Sequence, residues 1–481
     1  MNEMGWAQLL ARPEITFIPD FVLEVVELCG REDVALGEIA RRIEREPASS
    51  TFLMDLANSS LLERRAQSSS VIEAATALGL RTVRLALLSR ALVEALQRLL
   101  GPGPAAKELW TGAVVGGLAA QRLAGLGRGL SQDEALFAGL LKTAGAILIG
   151  AREPSHFARV VGKTIAGDGD LETGLLESFG FSQSELTAEI LRRWRFPETL
   201  VEAVRWHAQA PEESQTRLAS VLHLSEHYRR VFARPSSETV AGMLDSSRRH
   251  LLLIDEAAAE ILSAIEMRSA ALALLFRLET VDASVLEARR DRATELVVEK
   301  IIGGETAEQE SSPSSTSLER RSRDRGLTLL RISVDSVSVK ARLSASSSES
   351  LLDAVAKVLR AQLRRSDLVW RWSQDELLVV APQCAGEHAV RLATSLNEAV
   401  QSRALEASAQ PLAITISIGA AWDGDRLQHS FTDLLEVAGS CLAVAQEQGG
   451  NTVIGRAVPV LSERRQRLPR PQIEGQPLIQ L

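Results

Sequence analysis

The stretch LVWRWSQDELLVVAP, residues 368–382, decides the fold of the C-terminal third of the chain. Two apolar runs rich in β-branched and aromatic residues, LVWRW and ELLVVAP, flank the polar SQD, and this pattern reads as a β-hairpin. A tight hairpin turn is usually made with Gly or Asn-Gly, because only such residues take positive φ without strain. Here Ser373-Gln374 fills that place, so the turn carries two side chains where a bare backbone is the common solution.

Outward from the hairpin the same rhythm continues. LTLLRISVD (327–335) is a strand, and Leu351, Leu352, Val355, Val358 and Leu359 mark a helix. A second helix is expected over about 386–405. LAITISIGAAW (412–422) alternates Leu412, Ile414, Ile416 and Ile418 with small or polar residues, and a last helix covers 431–447. The order β-α-β-β-α-β, then α, predicts an α/β domain of ferredoxin-like plan over 327–456, with helices covering an antiparallel sheet.

Residues before 303 read as helical throughout. Leu36, Ile39, Ala40 and Ile43 follow helical spacing, as do Val22, Val25 and Val26, while Pro19, Pro47 and Pro197 stand where helices start or stop. The expectation is a multidomain protein with an all-α domain over 1–208 and a helical extension over 209–302. The extension would pack on that domain, on a second copy in a homodimer, or on both. Segment 303–326, GGETAEQESSPSSTSLERRSRDRG, is almost free of large apolar side chains and reads as a flexible linker, and 457–481 as a tail.

Composition narrows the classes. A chain of 481 residues is too long for one ordinary core, and 45% apolar with 24% charged residues is ordinary globular usage. The net charge of −8 argues against a dedicated nucleic-acid binder. Cys29, Cys384 and Cys441 are scattered without metal-ligand spacing, and a reducing cytoplasm fits; no metal and no cofactor are expected for the chain as a whole. The start, MNEMGWAQLLARPE, lacks the pattern of a secretory signal. The most apolar run, LFAGLLKTAGAILIG (136–150), contains Lys142, is too short to span a bilayer and reads as one buried helix.

Two family resemblances rest on ordered motifs. IPDFVLEVVEL (18–28), GEIARRIEREPASSTFLMDLANSS (37–60), SVIEAATALGLRTVRLALLS (70–89), EALFAGLLKTAGAILI (134–149), Trp110 and FGFSQSELTAEILRRWRFPETLVEAVRWH (179–207) resemble the HDOD domain, a relative of the HD phosphohydrolases. Residues 327–456 resemble the GGDEF domain, the diguanylate cyclase fold, with the family's namesake hairpin on Ser373-Gln374-Asp375-Glu376-Leu377, a later strand on ITISIGAA and the end on AVAQEQGGNTV (443–453).

Each resemblance implies a chemistry that these residues do not match. Where the phosphohydrolases place their metal-binding His-Asp pair, this chain has Lys142-Thr143, and a further His position reads Thr111-Gly112. His207 is the one histidine inside a family motif, and its simplest reading is a hydrogen-bonded imidazole at a helix end. In the cyclases a first-strand carboxylate helps to hold Mg²⁺; it aligns here with Arg331, and +1 in place of −1 about 4 Å from a divalent cation is repulsive by several kcal/mol at an effective dielectric of ~20. Asp335 lies four positions on, and an alternation argument sets it on the opposite side. The family's guanine-reading positions fall near Val339 and Ser348, and its phosphate-binding positions on Gln446 and Gly450. Arg331, Ser373, Gln374, Asp375 and Glu376 are therefore read as a degenerate active site, and the chain as a pseudoenzyme in both domains.

One ligand site is kept open. Arg364-Arg365-Ser366-Asp367 lies five residues before the namesake hairpin, the spacing of the inhibitory cyclic di-GMP site of many GGDEF domains. Arg364 and Asp367 are the candidate ligands, with Arg371 assisting; the alternative is a residual surface ion pair at a helix end. The basic runs 319–325 and ERRQR of the tail read as solvated charge, and Trp194, Trp206, Trp370 and Trp372 as packing residues. The expected function is a non-catalytic cytoplasmic signalling protein that binds partner proteins through its helices. Its C-terminal domain would be a cyclic di-GMP sensor or a dimerisation module, with no membrane or nucleic-acid partner. The competing classes are an active phosphodiesterase or cyclase, and a nucleic-acid-binding regulator.

Overall fold

The computed structural model describes residues 8–31, 33–62, 67–127, 129–166, 170–209, 216–251, 253, 255–308, 326–335, 345–364, 366–373, 375–402, 414–423, 429–458 and 479–480. The chain divides into two compact units, Met1–Ile254 with Ile265–Ala293, and Asp255–Ala264 with Thr294–Leu481. The segment 209–302, set apart by sequence as one extension, is thus split between the two. Among the described residues no helix is long and apolar enough to cross a membrane.

Among the described residues the first unit is built of helices alone. Ser70, Ser131, Ser182 and Thr216 each accept a hydrogen bond from the backbone N–H three residues on, satisfying a donor that the first helical turn leaves open. Pro19, Pro47 and Pro197 do stand at helix starts. At the centre, helix Pro104–Leu126 crosses helix Gln132–Leu141 with backbones almost touching: a Cβ on Gly117 would lie 2.9 Å from the Leu136 carbonyl, and one on Gly139 2.6 Å from that of Gly116. Three glycines therefore set how deep the second helix sits.

The apolar run 136–150 is not one helix. It is two, Gln132–Leu141 and Ala144–Gly150, broken at Lys142-Thr143, where Thr143 leaves helical geometry at φ −99° and ψ 8°. Thr187 holds the break from outside: its hydroxyl accepts from the Gly145 N–H at 2.8 Å and donates to the Gln183 carbonyl at 2.7 Å. Trp194 is fully buried and its indole N–H donates to the Ile15 carbonyl at 2.8 Å; Trp206 is half-buried.

The second unit is built on a sheet of order β2-β3-β1-β4-β5-β6, with β1 Leu327–Asp335, β2 Leu368–Arg371, β3 Glu376–Pro382, β4 Thr415–Trp422, β5 Val453–Ala457 and β6 Ile479–Gln480. All neighbours are antiparallel except β4 and β5. Leu330, Ile332 and Val334 point to a core shared with helices Ala345–Arg360 and Glu387–Gln401. The alternate residues Arg331 and Asp335 face the other side, where helix Phe431–Glu447 packs. A Cβ on Gly419 would overlap the Ala438 carbonyl and the Leu442 amide of that helix, so glycine is required for this close approach. Both faces are covered, which explains why polar-apolar alternation is muted along β1.

Two boundaries read from composition shift. Helix Ala283–Glu308 runs six residues into the expected linker 303–326, because Glu305, Ala307 and Glu308 continue the helix past Gly303-Gly304. The end of the expected tail adds a strand, as Gln480 and Ile479 pair with Ile454 and Gly455.

Candidate functional site

In the first unit Lys142 caps its helix and turns inward, with no exposed surface. Its ammonium donates to Glu226 Oε2 at 3.0 Å, to Ser225 Oγ at 3.0 Å and to the Leu222 carbonyl at 3.4 Å, all on helix Arg217–Ala233. Gly116 makes room for the stem, since a Cβ there would lie 3.2 Å from Lys142 Cε. The same carboxylate takes Arg229, whose Nε reaches Glu226 Oε1 at 2.7 Å. Burial pushes the Glu226 pKa up, but Arg229 and Lys142 outweigh it and hold the carboxyl well below its usual range. Burial also lowers the Lys142 pKa, against the pull of Glu226.

The neighbouring positions are equally occupied. Thr111 Oγ1 donates to the Lys107 carbonyl at 2.7 Å and accepts from the Val281 N–H at 2.9 Å, and Gly112 lies under the Arg229 stem. His207 ends helix Glu198–Trp206, buried, with Nδ1–H donating to the Val204 carbonyl at 2.6 Å. Burial, with the Lys142 charge nearby, drops its pKa to about 4, so the ring is neutral. Among the described residues no group of three or more His, Cys, Asp or Glu side chains is placed to hold a metal ion.

In the second unit the hairpin forms as read. Ser373 and Trp372 both donate backbone N–H groups to the Glu376 carbonyl, and Ser373 Oγ accepts from the Asp375 N–H at 3.4 Å. Gln374 lies outside the described residues, as does Val339, and of Ser348 only its place on a helix is described. Arg331 crosses from β1 to this turn: its Nη2 and Nε meet Glu376 Oε2 at 2.6 and 2.8 Å. Gly439, on the helix that covers this face, makes the space; a Cβ there would overlap the Arg331 guanidinium. Asp375 is exposed at the tip.

Asp335 corrects the alternation argument. Positions four apart in a strand share a face, and Asp335 lies on the side of Arg331. It accepts from Ser417 Oγ at 2.5 Å and from the Asn451 N–H at 2.6 Å, which ties the end of β1 to the loop before β5. Gly450, at φ 77°, is needed there, because a Cβ would come within 2.8 Å of the Asp335 carboxyl carbon. Gln446 is exposed.

The Arg364–Asp367 pair is brought together, but through the backbone. Asp367 is buried and its Oδ2 accepts from the Arg364 N–H at 3.0 Å. The Arg364 side chain makes no hydrogen bond or ion pair among the described residues, so the two do not form the residual ion pair of the alternative reading. Arg371 Nε donates to the Ser373 carbonyl at 3.2 Å. Trp370 and Trp372 are buried packing residues. The partners Glu226 and Gly439 escaped the sequence reading; the signal for the first was a lysine inside an otherwise apolar run.

Comparison with known proteins matches two stretches of the sequence to families. The HDOD domain profile matches residues 15–210, and that of the diguanylate cyclase, GGDEF domain matches 315–452. An uncharacterized protein of Treponema pallidum is 26% identical over 218 residues, covering 43% of this chain and 41% of that relative, so the chain spans less than half of its length. An HDOD domain protein of unknown function from Geobacter sulfurreducens is 23% identical over 55% of this chain and 93% of its own, with a TM-score of 0.43. A GGDEF domain from Pseudomonas aeruginosa is 26% identical over 30% of this chain and 88% of its own, with a TM-score of 0.26. By its two profile matches the chain joins an N-terminal helical HDOD domain to a C-terminal α/β GGDEF domain.

Proposed function

We propose that this chain is a non-catalytic signalling protein of the cyclic di-GMP network, working in the cytoplasm through protein–protein contacts. The observation that carries this is a pair of substitutions of the same kind. Where the family resemblances expect groups that bind metal, a cation is already in place and already ion-paired: Lys142 with Glu226, and Arg331 with Glu376. A divalent ion would meet positive charge at both positions. Of the carboxylates that remain, Glu376 is engaged by Arg331 and Asp335 by Ser417 and Asn451, while Asp375 stands exposed at the turn.

In this reading the HDOD helices present a partner-binding surface and the GGDEF domain receives cyclic di-GMP. Arg364, left without an ionic partner among the described residues, supplies the charged fork for guanine edge or phosphate, and Arg371 adds charge nearby. Asp367 shapes the turn that presents Arg364.

The test has two parts. With Mg²⁺ or Mn²⁺ supplied, the full chain should convert neither GTP to cyclic di-GMP nor cyclic dinucleotides to linear products; turnover abolished by Glu376→Gln would sink the non-catalytic reading. Calorimetry with cyclic di-GMP should give micromolar or tighter binding, about −8 kcal/mol. Arg364→Ala should remove most of it, and Asp375→Ala should leave it unchanged. Absence of heat at high micromolar ligand would reject the receptor role alone.

A further inference from the structure

Two helix ends within the first unit pass into an arginine in the left-handed region, where glycine is the residue without strain: Arg195 at φ 58° and Arg277 at φ 54°. The two ends close alike. The Phe196 N–H donates to the Leu191 carbonyl at 3.0 Å, and the Leu278 N–H to the Ala273 carbonyl at 2.8 Å. Arg195 has an evident use for its side chain, an ion pair with Glu27 at 2.8 Å. Arg277 has none: its side chain makes no hydrogen bond or ion pair among the described residues. A strained backbone that presents an unpartnered charge points to a ligand.

Arg277 lines an open cleft, with an empty volume of about 900 Å³ including solvent at its mouth, together with Ala48, Arg90, Glu94, Gln97 and Arg98. Arg90, Glu94, Gln97 and Arg98 share one face of helix Leu80–Leu100. The wall is fixed rather than loose. Gln97 Nε2 donates to the Arg277 carbonyl at 2.7 Å, and Phe276 is held edge-on against Phe52 at 5.3 Å. Arg90 lies over Phe52 at 5.0 Å, donates to Glu94 at 3.0 Å and bonds the Ala48 carbonyl. Arg98, like Arg277, has no bond or ion pair among the described residues. Three guanidiniums thus face one carboxylate around a single concavity, an arrangement of like charge that a bound anion relieves.

We propose that this cleft binds a compact, multiply charged phosphate anion, either free diphosphate or the diphosphate of a nucleotide. Arg98 and Arg277 act as the recognising forks and Arg90 as the fixed base of the site. Arg98 and Arg277 come to the same cleft from different helix ends and are the two guanidiniums there left unengaged among the described residues, which fits an anion of few charges rather than an extended acidic peptide. The site is independent of Lys142, Arg331 and Arg364.

Calorimetry on the full chain with sodium pyrophosphate should show saturable one-to-one binding that weakens with added salt. Arg277→Gly and Arg98→Gln should each weaken it by about tenfold or more, the loss of one charge-assisted fork. Arg277→Gly should hold or raise the thermal midpoint, since glycine suits that backbone, so a loss of binding cannot be laid to misfolding. Arg195→Gly should bind as the unaltered chain does. ADP that binds as pyrophosphate does assigns the phosphates alone, and tighter ADP assigns a nucleotide. No binding of either ligand, unchanged binding by Arg277→Gly, or tighter binding of a poly-glutamate peptide would overturn the proposal.

Discussion

Lys142 and Glu226, 84 positions apart in sequence, form an ion pair of 3.0 Å with the lysine wholly enclosed. Because Arg229 bonds the other oxygen of the same carboxylate, the two partners are not equivalent. Glu226→Gln strands two buried cations and should destabilise by about 3–5 kcal/mol. Lys142→Met leaves Glu226 with Arg229 and should lose only about 1–2 kcal/mol. Denaturant unfolding of both variants checks the order; equal losses would show that Arg229 does not shield the carboxylate.

Gly439 gives a test with an inverted sign. In a helix interior Gly→Ala normally stabilises by up to about 1 kcal/mol. Here the new methyl group would displace Arg331 from Glu376, so Gly439→Ala should destabilise by roughly 1 kcal/mol instead. With Arg331→Met in the background the loss should shrink. Thermal melts of the two singles and the double close the cycle.

One buried and one half-buried histidine set an acid limit. His207 and His227 are each lowered to about 4 by burial, His207 with Lys142 nearby and His227 with Arg230. Between about pH 6.5 and 4 the unfolded chain binds protons that the folded chain refuses, so stability should fall as pH drops through that window and be fully present above it. For His207 the whole effect is on the order of 3 kcal/mol. His207→Gln should flatten the pH dependence measured by urea unfolding.

Asp367 and Arg364 should separate by stability. Asp367→Ala leaves the Arg364 N–H without its carboxylate and should lose about 1–3 kcal/mol. Arg364→Ala, which removes a side chain with no bond, should stay within about 0.5 kcal/mol. Melting curves of the two variants distinguish a shaping residue from a contacting one.

The period-two runs around the hairpin and the helical spacing before residue 303 carried both domain types, because burial of one face is written directly into residue order. Arg331 and Lys142 were legible as charges where the family resemblances imply metal-binding groups. Their partners were not, since nothing local selects Glu226 over other acids or shows that Gly439 is bare to admit a guanidinium. Arg277 was invisible for the opposite reason: turn chemistry forecasts glycine at a left-handed helix end, and a side chain there contradicts the rule that would have found it. The kink at Lys142-Thr143 was hidden by its uniformly apolar flanks.

The Arg331–Glu376 pair also makes the present state hard to leave. An Arg331→Asp change alone would bring a new carboxylate beside Glu376 and near Asp375, with no cation to separate them. Removing Glu376 first would leave Arg331 unpaired under Gly439. Either single step passes through a less stable chain, so the two positions are locked to each other: one side chain can be exchanged without loss only if the other changes with it.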